Sequence, residues 1–282
     1  MKNPGSFFIS GKGGTGKSTI SSILALYLSR KFRVMLISLD PAHSLSSIWK
    51  TLPASEPVFI NSNLSIFEPD VSQLIAETVN KAKSDIRSRF RFLDSLNSAA
   101  IVNILSISPG IEEQALWEMV SNYTREFSGV IIFDAPPTGQ AQKLLSVPIM
   151  MKNWSENLHH LAVEIRQMTE RIWKGKSENQ QKIEEITNKS LKTANYIYNL
   201  LLDTRFITVI NDDPLSKMEA ENYESYLSVM GFKTGISFVN MSENRSKTNG
   251  LGKLQSDLYG IEKLEEVLDG NLSVFEQTLE SF

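Results

Sequence analysis

The run Gly11-Lys12-Gly13-Gly14-Thr15-Gly16-Lys17-Ser18-Thr19 contains the spacing G-x-x-x-x-G-K-[ST]. It lies between an apolar segment, Phe7-Phe8-Ile9-Ser10, and a stretch of helical periodicity that starts at Lys17. In that setting the pattern is a phosphate-binding loop. Backbone N–H groups can curl around phosphate oxygens only where side chains do not block the curl, and the start of the following helix adds a favourable dipole. The reading is therefore a MgATP site built from Gly11 to Thr19. Lys17 is placed on the β- and γ-phosphates as a catalytic charge, and the Ser18 hydroxyl on Mg²⁺. Lys12, at the front of the loop, is free to reach a facing subunit.

Further polar residues follow other apolar runs. Asp40 follows Val34-Met35-Leu36-Ile37-Ser38-Leu39, and Asp134 follows Val130-Ile131-Ile132-Phe133. Asn211 and Asn240 follow Phe206–Ile210 and Ile236–Val239. An Asp beside ATP can orient or activate a water, because hydrolysis depends mainly on positioning and charge stabilisation. Asp40-Pro41 on its own would be only a turn. His43 is read as part of that segment rather than as a metal ligand, since the other histidines, His159 and His160, are distant in sequence.

The elements that must position these residues are legible in outline. Continuous apolar runs of four to six residues suit strands buried on both faces, and their alternation with helical stretches implies an open, mostly parallel α/β sheet flanked by helices. Such sheets bind ligands beyond the carboxyl ends of their strands, so Gly11, Asp40, Asp134, Asn211 and Asn240 are expected along one edge. Leu64–Phe67 reads as another strand. The chain is expected to form one ATPase domain over 1–282, with a helical subdomain from about 72–107 and 143–203. In the latter, Leu158, Leu161, Ile165, Met168 and Ile172 recur at helical spacing, as do Leu191, Ala194, Tyr198 and Leu201. Lys174–Lys192 is polar and fits either a loop or a solvated helix.

Composition removes several alternatives. The 282 residues include no cysteine, which excludes disulfides, thiolate metal sites, iron–sulfur ligation and cysteine nucleophiles. A net charge of −3 gives no global reason for nucleic-acid binding, although Arg87-Ser88-Arg89-Phe90-Arg91-Phe92 is locally basic. No secretory signal or membrane-spanning run is read, so the expected location is cytoplasmic.

The loop Lys12–Thr19, with its early lysine, resembles the deviant Walker A of the MinD/ArsA/nitrogenase-iron-protein group, in which that lysine contacts nucleotide across a dimer interface. Asp40-Pro41-Ala42-His43-Ser44-Leu45 resembles switch I, D-P-A-H-S/N-L, of the ArsA/GET family of arsenical-pump and tail-anchored-protein-targeting ATPases. Asn63-Leu64-Ser65-Ile66-Phe67-Glu68-Pro69-Asp70 is similar to that family's N-L-x-x-x-E-x-D. Ser108-Pro109-Gly110-Ile111-Glu112-Glu113 is similar to its P-P-G-x-D-E. Asp134-Ala135-Pro136-Pro137-Thr138-Gly139-Gln140 resembles switch II, D-T-A-P-T-G-H, while Asp213-Pro214-Leu215-Ser216 with Glu219 resembles P-E-x-L-S-x-x-E. Val239-Asn240 resembles the family's V-N.

The resemblance implies a catalytic Asp40 assisted by Lys12 and Lys17, with Ser18, Asp40 and Asp134 around Mg²⁺. Gly139 would sense the γ-phosphate, Asp213 would face the nucleotide, and Asn240 would hydrogen-bond adenine. It also implies an ATP-hydrolysing homodimer that captures a transmembrane-helix client and meets a membrane receptor, with no nucleic-acid partner. Gln140, Glu112 and Asp213 depart from the family's His, Asp and Glu. The zinc-clamping Cys-x-x-Cys and the arsenite-binding cysteines are missing. A MinD/ParA-like positioning ATPase and the energising subunit of an anion pump stand as alternatives. The acidic tail from Glu276 argues against the first and the lack of cysteine against the second.

Overall fold

A computed structural model describes residues 5–42, 44–52, 54–89, 110–172, 178–240 and 259–280. The readings for His43, for 90–107, for Ser108 and Pro109, and for 174–177 lie outside them, as do the side chains of Arg87, Arg89, Leu158, Ile165 and Ile172.

The apolar runs form strands β1 (Ser6–Gly11), β2 (Val34–Ser38), β4 (Leu64–Phe67), β5 (Val130–Asp134), β6 (Arg205–Asn211) and β7 (Lys233–Asn240). With β3 (Val58–Phe59) they make a sheet in the order β3-β4-β2-β5-β1-β6-β7. Every pairing is parallel except that of β3 with β4. The register aligns the carboxyl ends: Asp134 pairs with Ile9 on one side and Ser38 on the other, Gly11 with Val209, and Asn211 with Asn240. Asp40, Asp134, Gly11, Asn211 and Asn240 thus share one edge of the sheet.

Strand alternation sends successive side chains to opposite faces. Phe7, Ile9, Val34, Leu36, Ile132 and Val209 enter a buried core with Ile20, Ile23 and Leu24 of helix α1 (Lys17–Ser29). The same core takes Leu45, Ile48 and Trp49 from α2 (Ser44–Trp49), and Leu264, Leu268 and Phe275 from α8 (Ile261–Gly270) and α9 (Leu272–Glu280). On the other face Phe8 packs against Phe133 and Phe206 with ring centroids 6.1 and 5.1 Å away. Each such buried side chain contributes ~1.5–3 kcal/mol. The P-loop therefore hangs from a strand that cannot shift without disturbing both layers.

The remaining helices are α3 (Val71–Arg89), α4 (Ile111–Thr124), α5 (Thr138–Ile172), α6 (Glu178–Asp203) and α7 (Pro214–Val229). The described part of the polar stretch up to Lys192 is helical from Glu178 onward. The chain divides into two compact units, one of Met1–Asp70, Glu126–Lys143 and Leu200–Phe282, the other of Val71–Arg125 and Leu144–Asn199. The first holds the whole sheet. The second is helical among its described residues and includes α4, outside the 72–107 stretch.

Inside the second unit α5 contains Pro148. Proline has no N–H to give, so the carbonyl four residues earlier, on Leu144, loses its helical partner. The indole N–H of fully buried Trp117 on α4 donates to that carbonyl at 2.9 Å. Tyr196 of α6 ties in as well, its hydroxyl sharing a 2.9 Å hydrogen bond with Thr124 and its ring lying 4.7 Å from the Arg125 guanidinium.

Candidate functional site

The loop after β1 has the shape that glycine permits. Gly14 and Gly16 have φ of 78° and 86°, a left-handed region that other residues enter at a cost. A Cβ on Gly16 would stand 2.5 Å from the Asn240 side-chain nitrogen, and one on Gly11 only 2.1 Å from the Val209 carbonyl oxygen. Gly11 therefore requires glycine on steric grounds, and Gly16 because of its left-handed backbone, where a side chain would also push against Asn240. Thr15 closes the turn, its hydroxyl donating to the Lys12 carbonyl at 2.9 Å. Asn240, almost fully buried, donates its side-chain amide to the Thr15 carbonyl at 2.8 Å. The residue read as an adenine contact thus braces the phosphate loop in this structure.

Lys17 is buried, and its ammonium donates to the Lys12 carbonyl at 3.5 Å. Burial lowers its pKa, and the neighbouring carboxylates of Asp134, Asp40 and Glu219 oppose that shift. The structure thus gathers the P-loop lysine and three acids in one place, although the sequence reading names only two of the acids there. The Lys12 side chain has no hydrogen-bond or ion-pair partner among the described residues.

Asp134 is completely buried, and neither carboxylate oxygen has a hydrogen-bond partner of normal geometry among the described residues. Burial pushes its pKa up to about 7. The nearby hydroxyls of Ser18 and Ser21 and the charge of Lys17 favour the ionised form and only partly offset that, while Asp40 adds to the rise. An unpaired buried carboxylate is costly unless a cation compensates it. Ser18, Asp40 and Asp134 are all hard oxygen donors, the type Mg²⁺ selects, and Mg²⁺ commonly takes only one or two carboxylates beside phosphates and water. The orphaned oxygens of Asp134 and the chemistry of the set both fit Mg²⁺. Asp40 itself is half-buried, and its Oδ1 accepts the Ala42 amide at 3.0 Å, holding the turn after β2.

Switch I continues into α2. Ser44, its first residue, shares a 2.7 Å hydrogen bond with the Ser18 hydroxyl. Buried Glu68, just beyond β4, accepts the amides of Leu45 at 2.9 Å and Ser46 at 2.7 Å. Switch II opens α5. Buried Thr138 donates its hydroxyl to Glu219 of α7, and the Tyr226 hydroxyl, two turns further along α7, donates to the Gln142 carbonyl at 2.9 Å. Gly139 is exposed in the first turn of α5, and a Cβ there would meet nothing within 4 Å. Asp213 caps α7 by accepting the Ser216 amide at 2.9 Å, with Pro214 at the first helical position. Glu112 and Glu113 stand in the first turn of α4, in the second unit.

Ser21, Ser44, Glu68 and Glu219 were given no role from sequence. Ser44, Glu68 and Glu219 do lie inside the quoted family motifs, which is the available signal. Ser21 sits one helical turn after Ser18, a spacing that is visible in the sequence.

A glycine-rich loop after β1, acids after β2 and at the end of β5, and a bracing asparagine share one sheet edge, an arrangement that comparison with known proteins assigns to a family. The profile of the anion-transporting ATPase family, ArsA_ATPase, matches residues 5–264. The chain belongs to this family. By that membership it is an ATPase. It is 26% identical over 238 residues to the protein named arsenical pump-driving ATPase 2 in Aquifex aeolicus (strain VF5), covering 83% of this chain and 79% of that one. It is 27% identical over 259 residues to ATPase ASNA1 homolog 2 of Paramecium tetraurelia, covering 90% and 73%. It is 30% identical over 276 residues to the ATPase ASNA1 homolog of Plasmodium berghei (strain Anka), covering 93% and 66%. This ArsA-family chain therefore spans about two thirds to four fifths of these relatives' length.

Proposed function

We propose that the chain hydrolyses MgATP as a homodimeric switch and uses the cycle to hold and release an apolar transmembrane helix. The nucleotide half of this reading rests above all on Asp134, a buried carboxylate with orphaned oxygens beside Lys17 and Ser18. In the bound state Gly11 to Thr19 would wrap the phosphates, with Lys17 on the β- and γ-phosphates and Ser18, Asp40 and Asp134 around Mg²⁺. Mg²⁺ supplies Lewis-acid stabilisation of the phosphate oxygens. Asp40 would orient the attacking water, Gly139 would leave room for the γ-phosphate, and Asn240 and Asp213 would flank the nucleotide. Lys12, whose side chain has no hydrogen-bond or ion-pair partner among the described residues, would reach the facing subunit's nucleotide.

The client half draws on α5. Met150, Trp154, Leu161 and Met168 are 65%, 68%, 51% and 62% exposed. At 3.6 residues per turn they fall within about 40° of one another on the helix surface. From Met150 to Met168 the stripe is about 27 Å long at 1.5 Å per residue, close to the ~30 Å hydrocarbon core that a spanning helix must match. Methionine and aromatic side chains adapt to varied apolar partners. Among the described residues no helix of the chain is itself long and apolar enough to cross a membrane. The names of all three relatives agree with ATP hydrolysis, and the pump-driving name of one points to the alternative of an energising subunit. The absence of cysteine rules out thiolate-bound arsenite as the trigger in that alternative.

The test is co-expression with a tagged single transmembrane helix, beside a polar-substituted control helix. The intact chain should keep the apolar helix in solution and fail to retain the control. Serine at all four stripe positions should abolish retention and spare ATP hydrolysis. Retention that survives those substitutions would remove the stripe from the function.

A further inference from the structure

Glu68 lies outside every role assigned so far, yet it is among the best-partnered acids in the first unit. Its side chain is 5% exposed, and its two oxygens each accept a backbone amide of α2, from Leu45 at 2.9 Å and from Ser46 at 2.7 Å. Its own carbonyl accepts the Ala54 amide at 3.1 Å, which closes the loop beyond α2 onto the same residue. The next side chain upstream of the clamped amides is Ser44, whose hydroxyl meets Ser18 at 2.7 Å. A continuous path of short polar contacts thus runs from the end of β4 through the first turn of α2 to the P-loop hydroxyl beside Asp134.

The anchor is rigid at its far end. β4 is buried throughout and pairs in register with β2 from Val34–Leu64 to Ile37–Phe67, so Glu68 follows directly from a fixed strand. α2 has only six residues, too few to fix its own position by helical bonding. Leu45, Ile48 and Trp49 seat one face of it in the core, but apolar contacts resist sliding along the sheet less well than two directed charge-assisted hydrogen bonds. Two bonds to adjacent amides also fix rotation about the helix axis, and that rotation sets where the Ser44 hydroxyl points.

We propose that Glu68 is a positioning residue for the Mg²⁺ end of the site, holding switch I so that Ser44 sets the orientation of Ser18. The inference rests on the reading of Ser18 as a Mg²⁺ residue. Glu68 touches neither nucleotide nor metal and acts through Ser44. Residues that orient a metal ligand from behind typically change metal affinity ~10–100-fold when altered.

The experiment compares Glu68→Gln, Ser44→Ala and the double variant with the unaltered chain, titrating Mg²⁺ against fixed ADP and reading the shift in melting temperature. Glutamine keeps the volume and one carbonyl acceptor but loses the second, so the nucleotide-free variant should melt within a few degrees of the parent. ADP in EDTA should protect all four proteins alike. The Mg²⁺ concentration for half-maximal extra protection should rise about tenfold in each single variant, and no further in the double, because both act along one path. Glu68→Gln with an unchanged Mg²⁺ midpoint, or effects that multiply in the double variant, would overturn the proposal. Absence of any Mg²⁺ effect in the unaltered chain would instead remove the reading of Ser18, and the proposal with it.

Discussion

The acids at the carboxyl edge of the sheet are sorted by burial, and burial decides what each can do. Asp40 is half-exposed and tied to a turn by one backbone amide, so it can swing toward water. Asp134 is sealed in with no hydrogen-bond partner of normal geometry among the described residues, so it is the one whose ionisation a metal would reward. The sign of its effect on stability follows. Its carboxyl titrates near 3.8 when unfolded and near 7 when folded. Between those values the folded chain keeps a proton that the unfolded chain has lost, and stability of the nucleotide-free fold falls as pH rises through the window. In EDTA, Asp134→Asn should therefore gain about 2–4 kcal/mol relative to the parent on going from pH 4 to pH 8. Denaturant melts at several pH values would check this, and parallel profiles for the two proteins would refute it. Gly11 marks the opposite limit, a position where no side chain fits against the Val209 carbonyl.

Among the elements, what was legible in the sequence divides along a physical line. β1, β2, β4, β5 and β6 announce themselves because strands buried on both faces must be apolar throughout, and their ends locate the P-loop and both switch acids. β3 passes unnoticed, being two residues long, at the sheet edge and with Phe59 exposed. α2 is equally silent, since Ser44, Ser46 and Ser47 are poor helix formers and the amides of its first turn are held by Glu68, which is remote in sequence. The site was read in the same partial way. Spacing reveals a P-loop, but nothing in Thr138 or Glu219 alone tells that they will meet. Pro148 gives the element scale its own test. Its helix survives with the Leu144 carbonyl bonded to Trp117 instead of to a backbone amide. Trp117→Phe should cost at least ~1–3 kcal/mol by leaving that buried carbonyl unsatisfied. Thermal unfolding of the variant measures the loss, and an unchanged melting temperature would show that the bond contributes nothing.

For the molecule as a whole, the phosphate loop, both switch acids and their supporting contacts belong to the first unit, while the exposed apolar stripe belongs to the second. On the proposed reading nucleotide state and client affinity are linked through dimer closure, with Lys12 as the residue that reports the facing subunit's nucleotide. The most direct measurement of that claim is the solution mass of Asp40→Asn with and without MgATP, beside the Asp40→Asn, Lys12→Ala double variant. Loss of the carboxylate proposed to orient the attacking water should slow hydrolysis ~10²–10⁴-fold and trap the closed state. The account predicts a stable two-chain particle for Asp40→Asn only when MgATP is present, and a nucleotide-insensitive mass for the double variant, which still binds ATP. A mass that ignores MgATP in Asp40→Asn, or closure that persists without Lys12, would contradict it.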